Sequence, residues 1–195
     1  AAKMIGMPLG PLQLVDETSI DLGAKIARAT KAAMGDAYPD GEVDEVIFWM
    51  EGEGRLGRKT KAGFYDYDEK GKRQGLSQLV QDKYPQAEDQ PTVTEVQQRL
   101  LFVQSLEAVR ALEEGVLMDI REGDVGAILG WGFAPWSGGP LSWLDMIGAP
   151  YAAERCDQLT EAHGARFTCP PLLREMADKS QSFYGRFGPE SAEAA

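Results

Sequence analysis

The sequence of 195 residues carries 31 acidic side chains against 20 basic ones, which gives a net charge of −11 at pH 7. This excess of acid argues against binding to nucleic acid, which needs a basic face, and against binding to anionic membranes. The apolar fraction of 43% is ordinary for a globular protein. No run of about 18 apolar residues predicts a membrane span, and the first residues lack a signal-peptide core. We therefore expect a cytoplasmic protein.

Helical periodicity dominates the first half of the chain. Residues 11–34 predict helix, with an interruption near residues 16–19, where Thr18 or Ser19 is suited to cap a second segment. A loop over residues 35–41 precedes a short predicted helix over residues 43–51. The segment 52–67 is rich in glycine and basic residues. Prolines flank the polar stretch 85–91, which predicts a connection between two halves of the chain.

The second half has stronger helix signals. Apolar residues recur at three- and four-residue steps from Thr94 to Gly115, which predicts the best-defined helix of the chain. A shorter helix is expected over residues 119–129. Gly139-Pro140 is typical of a helix start, because proline suits the first helical turn. Residues 149–163 predict a further helix, and Pro170-Pro171 begins another; residues 188–195 are expected to be disordered.

One stretch of the sequence occurs twice. Gly10-Pro11 and Asp16 recur as Gly139-Pro140 and Asp145 at a single offset of 129 residues. A fixed offset across several residue types indicates an internal duplication. We therefore divide the chain into a first repeat over residues 1–90 and a second over residues 91–195. The first repeat lacks a counterpart of the helix at 94–114, so we expect it to be truncated at its N-terminus.

A second sequence pattern recurs near the end of each repeat. Phe64-Tyr65 after a basic stretch is matched by Phe183-Tyr184 after Lys179-Ser180. These aromatic side chains are expected to pack in the core. Asp16 and Asp145 are expected to serve local helix structure and not acid–base catalysis.

Few residues of the chain suit catalysis. The single histidine, His163, precedes Gly164 at a predicted helix end, which favours a surface or capping role over that of a base. The letters G-x-G-x-x-G occur over residues 52–57 without a preceding buried strand, so we interpret them as a chance match. Cys156 and Cys169 favour reduced thiols over a disulfide in a chain of this length, and they lack the spacing of a metal site.

The basic group in the glycine-rich segment allows three interpretations. Its members, Arg55, Arg58, Lys59 and Lys61, form the positive cluster of an acidic chain. They are suited to contact phosphate groups, a partner protein or only solvent. The solvated loop is the interpretation that we favour.

Three stretches together resemble the C-terminal domains of 3-hydroxyacyl-CoA dehydrogenases. They are residues 7–11, residues 57–67 and residues 132–140. The tandem arrangement resembles the end of the multifunctional alpha subunit of the fatty-acid oxidation complex. The resemblance implies an all-α fold of two similar helical repeats packed together, as in the C-terminal domain of 6-phosphogluconate dehydrogenase.

The resemblance also implies an activity of the parent enzyme. That enzyme oxidises 3-hydroxyacyl-CoA to 3-ketoacyl-CoA with NAD in fatty-acid β-oxidation, and it is joined to an enoyl-CoA hydratase. NAD and the catalytic histidine–glutamate pair belong to an upstream Rossmann domain, so this chain is expected to bind no cofactor or metal and to be inactive alone. Its implied partners are the acyl-CoA substrate, the upstream domains and a thiolase subunit.

The resemblance places candidate substrate contacts in the first repeat. Residues of the turn before the Gly-Pro helix start are expected to line the acyl or pantetheine side of the cleft: Met7, Pro8, Leu9, Gly10 and Pro11. A turn that only joins helices is the alternative. In the second repeat Gln98 stands where the family has a substrate-orienting asparagine, so that repeat is expected to be degenerate. A helical module that docks a partner subunit is the competing function; chain-length preference and oligomeric state stay open.

Overall fold

Helices make up most of the computed structural model, which describes residues 1–39 and 41–189. The all-α prediction is confirmed. The helices are α1 (Pro11–Thr18), α2 (Ile20–Met34), α3 (Glu42–Gly52), α4 (Gln78–Lys83), α5 (Val93–Glu113), α6 (Ile120–Trp131), α7 (Pro140–Ile147), α8 (Ala149–His163), α9 (Pro171–Asp178) and α10 (Phe183–Phe187). Within the described ranges, no helix combines the length and apolar character needed to cross a bilayer. The tail expected to be disordered lies outside these ranges from residue 190 onward.

One short hairpin interrupts the helical pattern and was not predicted. Strands β1 (Tyr65–Tyr67) and β2 (Arg73–Leu76) pair antiparallel with an irregular register. The connecting turn is held by the Asp68 side chain, which accepts hydrogen bonds from two backbone N–H groups of the turn at 2.9 Å each. Gly71 supplies a residue at φ 74° there. The strands are too short to show an alternation of apolar and polar residues. The turn is therefore the only part of the hairpin that the sequence could have indicated.

Packing divides the chain into two compact units. The smaller unit is Leu9–Gln90, and the larger unit combines Ala1–Pro8 with the chain from Pro91 onward. Residues 1–8, which the sequence analysis placed with the first repeat, thus pack with the larger unit. The reason is visible at Ile5, which is buried in the core of the larger unit and whose carbonyl oxygen accepts from Trp136 Nε1 at 2.8 Å. As a division into duplicated repeats, the boundary at residue 90 stays a prediction.

The smaller unit has a modest core between α2, α3 and the hairpin. Ile20, Met50, Phe64 and Val80 are buried together. Surrounding side chains such as Trp49 are only partly covered. A unit with so small a core depends on its hydrogen bonds and turns as well as on apolar burial.

The larger unit has a more extensive core around α5. Phe102 and Leu106 of α5 are fully buried, and the Phe102 ring meets the Trp143 ring of α7 edge-on at a centroid distance of 5.0 Å. Thr92 caps the start of α5 by accepting from the Glu95 N–H at 3.1 Å. The α5 helix thus forms where the sequence predicted it, starting at Val93.

The helix boundaries reproduce the offset of the duplication. Helices α1 and α7 have equal lengths and begin 129 residues apart, and the same is true of α2 and α8. Each first helix starts with a proline after a glycine, in agreement with the Gly-Pro prediction.

We expect Ser105→Ala to stabilise the larger unit. Ser105 is fully buried in α5, and its hydroxyl oxygen has no hydrogen-bond partner among residues 1–39 and 41–189. Alanine removes this buried polar group and favours helix, which should raise the free energy of unfolding by about 1 kcal/mol. Denaturant unfolding of the two proteins measures the difference. Ser142→Ala is the matched control and should destabilise, because its hydroxyl donates to Asp124 at 2.5 Å.

Candidate functional site

The buried carboxylate of Asp16 organises the smaller unit. It is 1% exposed and accepts hydrogen bonds from the backbone N–H groups of Phe64 and Tyr65 at 2.8 and 3.0 Å and from the Tyr67 hydroxyl at 2.9 Å. We call these four residues the Asp16 cluster. A Cβ at Gly63 would lie 2.1 Å from Asp16 Oδ1, so glycine is needed for this approach. Burial, and then the Asp16 carboxylate, raise the pKa of Tyr67.

Asp145 forms the equivalent contacts in the larger unit. It accepts from the backbone N–H groups of Phe183 and Tyr184 at 2.6 and 2.9 Å. Burial raises its pKa, and those two hydrogen bonds oppose the rise. Both aspartates bind backbone that lies far along the chain, so the expectation of a role local to one helix was wrong. The Phe-Tyr echo of the sequence thus marks the backbone that each aspartate binds.

Asp124 was not singled out from the sequence, although it accepts hydrogen bonds from three residues of the larger unit. It is 1% exposed and accepts from the backbone N–H groups of Leu141 and Ser142 at 2.8 and 3.0 Å, from the Ser142 hydroxyl and from the Tyr184 hydroxyl at 2.9 Å. The available signal was its position on the buried stripe of α6 between Ile120 and Ala127. Its oxygens bind protein groups, which argues for a structural role.

The first two residues of the predicted substrate contact lie in the larger unit. Met7 is half-buried against the main core, and its N–H donates to the Ala2 carbonyl oxygen at 3.2 Å. Pro8 packs against Gly132 so closely that a Cβ there would lie 2.5 Å from the proline ring. Gly6, at φ 87°, lies beside Pro135, and a Cβ at Gly6 would be 3.2 Å from that proline ring. The backbone of this part of the turn is therefore fixed by close contacts.

The other three residues lie in the smaller unit and lead into α1. Gly10 precedes the helix in an extended conformation, and its carbonyl oxygen accepts from the Leu14 N–H at 2.9 Å. Pro11 occupies the first helical position and is exposed, whereas Leu9 is half-buried. None of the five predicted residues has an ionisable side chain, so apolar contact and backbone hydrogen bonding are what they can offer. Their assignment to substrate stays a prediction.

Three of the basic side chains in the glycine-rich segment are held by carboxylates of the smaller unit. The pairs are Arg55–Asp66 at 2.6 Å, Arg58–Glu17 at 3.1 Å and Lys59–Asp21 at 2.5 Å. The Lys59 ammonium is the main cause that holds the pKa of Asp21 far below its ordinary value. A phosphate ligand would compete with these carboxylates. The arrangement supports a structural role for the segment.

The G-x-G-x-x-G letters do not fit a dinucleotide. They follow α3 and precede a 3-10 helix over Arg58–Thr60, whereas a dinucleotide fingerprint joins a buried strand to a helix. Within the motif, Arg55 Nε donates to the Gly63 carbonyl oxygen at 2.8 Å. The segment therefore serves the hairpin and the Asp16 cluster.

His163 has a carboxylate partner that the sequence did not indicate. Its Nε2 lies 3.1 Å from Glu95 Oε1, which joins the end of α8 to the start of α5. Nearby, Arg155 Nε donates to the side-chain oxygen of Gln98 at 3.1 Å. Gln98, which the resemblance places at the position of a substrate-orienting asparagine, thus binds within its own unit.

The larger unit also contains an open cleft of about 530 Å³ beside the last turns of α5. Arg110 donates from its wall to the Thr168 carbonyl oxygen at 3.1 Å, and Glu113 accepts from the Leu172 N–H at 2.9 Å. Its remaining wall residues include Glu107, Glu114, Arg166 and Cys169. Across residues 1–39 and 41–189, the acidic, histidine and cysteine side chains form no group of three suited to a metal ion.

Comparison with known proteins identifies the first third of the chain. Residues 1–67 match the family model of the 3-hydroxyacyl-CoA dehydrogenase C-terminal domain. Over these residues the chain is similar to the C-terminal domain of that family. The match contains the 7–11 turn and ends at Tyr67, the last member of the Asp16 cluster. The resemblance stated from the sequence is confirmed.

Solved dehydrogenase structures share the fold. A 3-hydroxybutyryl-CoA dehydrogenase from Escherichia coli K12 is 20% identical, with a TM-score of 0.62 over 92% of this chain and 54% of its own. The dehydrogenase part of multifunctional enzyme 1 from C. elegans is 24% identical, with a TM-score of 0.61 over 89% of this chain and 40% of its own. The chain thus spans about half or less of the length of these dehydrogenases.

Proposed function

We propose that the chain is the C-terminal helical part of a multifunctional, NAD-dependent enzyme that oxidises 3-hydroxyacyl-CoA to 3-ketoacyl-CoA in cytoplasmic fatty-acid β-oxidation. The observation that carries the proposal is the family match over residues 1–67. In the proposed enzyme a Rossmann domain outside this chain binds NAD and carries the catalytic groups, and a hydratase domain belongs to the same enzyme. This chain contributes part of the substrate cleft and a packing surface.

The rigidity of the 7–11 turn supports a role in the cleft. Close packing of Pro8 on Gly132 and the hydrogen bond from Met7 fix the backbone before a substrate arrives. A preorganised apolar turn can hold an acyl or pantetheine chain with little loss of conformational entropy. Because the turn offers no acid or base, it would position the substrate and leave proton and hydride transfer to other groups.

An exposed apolar face on α2 supports the packing role. Leu22 and Ile26 are 49% and 57% exposed, and Ala29 and Ala33 continue the same helical face. A contiguous apolar face of this kind is typical of a surface that another protein surface covers. We infer that the rest of the dehydrogenase covers it.

The duplicated helix α8 supports this interpretation by contrast. At the offset of 129 residues, Leu22, Ile26 and Ala29 correspond to Tyr151, Arg155 and Gln158. In α8 the side chain of Arg155 is hydrogen-bonded to Gln98 and Gln158, at 3.1 and 2.7 Å. At these positions α8 is therefore largely polar, whereas the corresponding face of α2 is apolar and exposed.

The test uses the complete dehydrogenase that contains this chain. Met7→Ala and Leu9→Ala should raise the KM for 3-hydroxyacyl-CoA several-fold while the KM for NAD changes little, because the turn contacts only the acyl substrate. Leu129→Ala is the matched control, since Leu129 is 80% exposed on α6. The isolated chain should reduce no NAD, and activity should return only when an NAD-binding domain fragment is added.

A docking module for a partner subunit, such as a thiolase, is the second candidate, and the exposed face of α2 is the observation that favours it. Unchanged kinetics in Met7→Ala and Leu9→Ala, together with weakened assembly in Leu22→Ser and Ile26→Ser, would reject the cleft role in favour of docking. NAD reduction by the purified chain alone would contradict both.

A further inference from the structure

Trp136 lies against the segment that leads into the 7–11 turn. Its Nε1–H donates to the Ile5 carbonyl oxygen at 2.8 Å, and a Cβ at Gly6 would lie 3.6 Å from its Cδ1. Trp136 is nevertheless 54% exposed. The indole is therefore fixed in place by the residues before the turn, while about half of its surface stays open to a ligand.

The open surface of this indole offers apolar contact. The one polar group of a tryptophan side chain is its N–H, and in Trp136 that group already donates to Ile5. Trp131, which is 55% exposed, likewise donates its Nε1–H to Gln104 Oε1 at 3.2 Å. Met4, just before Ile5, is apolar and 72% exposed. A fixed aromatic ring whose polar group is satisfied suits a hydrocarbon chain better than a polar ligand.

The Trp136 ring adjoins the first of the predicted substrate contacts. Gly6, against which the ring packs, directly precedes Met7 and Pro8. Pro8 in turn packs on Gly132, four residues before Trp136, and all of these residues belong to the larger unit. An acyl chain that contacts Met7 or Pro8 can therefore continue onto the Trp136 ring if it is long, whereas a short chain ends before reaching the ring.

We propose that Trp136 contacts the distal part of a long acyl chain and gives the enzyme a preference for long-chain over short-chain 3-hydroxyacyl-CoA. This inference rests on the proposed function, because it names the substrate class for the same cleft. Each methylene group that the ring covers adds hydrophobic stabilisation, so a chain that reaches Trp136 gains over one that does not. The reacting carbon lies at the other end of the acyl chain, so Trp136 determines specificity and takes no part in proton or hydride transfer.

The first experiment measures kcat/KM of the complete dehydrogenase for 3-hydroxyhexadecanoyl-CoA and for 3-hydroxybutyryl-CoA. In Trp136→Ala the ratio of the two values should fall by about 10-fold, the effect of losing contact with about two methylene groups. Trp136→Phe keeps an aromatic ring and loses the hydrogen bond to Ile5, so it should keep most of the ratio. Trp49→Phe is the matched control and should leave the ratio unchanged, because Trp49 lies in the smaller unit, edge-on to Tyr84 at a centroid distance of 5.5 Å.

Three kinetic results would overturn the inference while leaving the proposed function intact. An unchanged ratio in Trp136→Ala would show that the acyl chain does not reach the ring. Equal losses for both substrates in Trp136→Ala would show that the indole serves the geometry of the turn. If Trp136→Phe lowers the ratio as much as Trp136→Ala does, the effect belongs to the hydrogen bond with Ile5 and not to the ring. Circular dichroism shows whether each variant is folded.

A second experiment tests the contact without relying on activity. It titrates the complete protein with a hexadecanoyl-CoA that carries bromine on its acyl tail, because bromine quenches tryptophan fluorescence on contact. Saturable quenching is expected in wild type and in Trp49→Phe, and most of it should be lost in Trp136→Phe. If the complete protein oxidises neither hydroxyacyl substrate, the proposed function fails, and the quenching still decides whether Trp136 binds a long acyl chain. Wild-type protein without quenching, or equal quenching in Trp136→Phe, would reject the inference.

Discussion

The Asp16→Ala variant should lose about 3 to 5 kcal/mol of unfolding free energy in the smaller unit. The substitution leaves the N–H groups of Phe64 and Tyr65 and the hydroxyl of Tyr67 without the carboxylate that accepts from all three. With only a small apolar core around Ile20, the unit has little else to hold the hairpin against α1. The backbone N–H groups of Phe64 and Tyr65 should therefore exchange with solvent much faster, as measured by NMR hydrogen exchange.

The neighbouring acid supplies the control for this experiment. Glu17 carries one ion pair, to Arg58 at 3.1 Å, and both side chains are substantially exposed. Glu17→Ala should therefore change the free energy of unfolding by no more than about 1 kcal/mol. Equal losses in Asp16→Ala and Glu17→Ala would show that general charge, and not the buried hydrogen bonds, determines the result.

The Gly139→Ala variant should destabilise the larger unit by about 3 kcal/mol or more. Gly139 has φ 123°, a conformation that L-residues rarely adopt, and a Cβ there would lie 2.4 Å from Asp124 Cβ and 2.5 Å from its Cα. Because a backbone atom of α6 is in the way, rotation of a side chain cannot relieve the clash. Helix α6 would have to move, and this movement would disrupt the hydrogen bond that Asp124 accepts from the Leu141 N–H. Thermal unfolding measures the loss.

At a second glycine of the same unit, we expect substitution by alanine to raise the free energy of unfolding. Gly126 lies in the middle of α6, and a Cβ there meets no atom within 4 Å. Gly126→Ala should raise the free energy of unfolding by about 0.5 to 1 kcal/mol, because alanine favours helix. Destabilisation in both variants would mean that α6 tolerates no added methyl group, and that the clash at Gly139 is not special.

The sequence predicted most of the helices because they depend on local signals, whereas the short helices α4 and α10 were not predicted. Gly-Pro pairs and the spacing of apolar residues can be recognised within one short segment. The helix predicted over residues 149–163 accordingly coincides with α8 at both ends. The pairing of Asp16 with Phe64 spans 48 residues, and only its recurrence at Asp145 and Phe183 hinted that these residues belong together.

Features that depend on distant neighbours were missed. The hairpin after Tyr65 depends on a side-chain turn at Asp68, which spacing alone does not reveal. The carboxylate beside His163 comes from Glu95, 68 residues away. The ion pairs of the basic segment likewise join residues that have no sequence relationship, so the favoured interpretation as a solvated loop did not anticipate them.

The discontinuous larger unit has a consequence for folding during synthesis. Ile5 is translated long before Trp136, whose indole donates to the Ile5 carbonyl oxygen, and the intervening chain includes all of Leu9–Gln90. At the ribosome, the smaller unit can complete its own contacts while Ile5 still lacks its partners. The segment around Ile5 must then wait with its apolar side chains exposed until α6 and the turn after it emerge, which makes this interval the one in which a chaperone has most to protect.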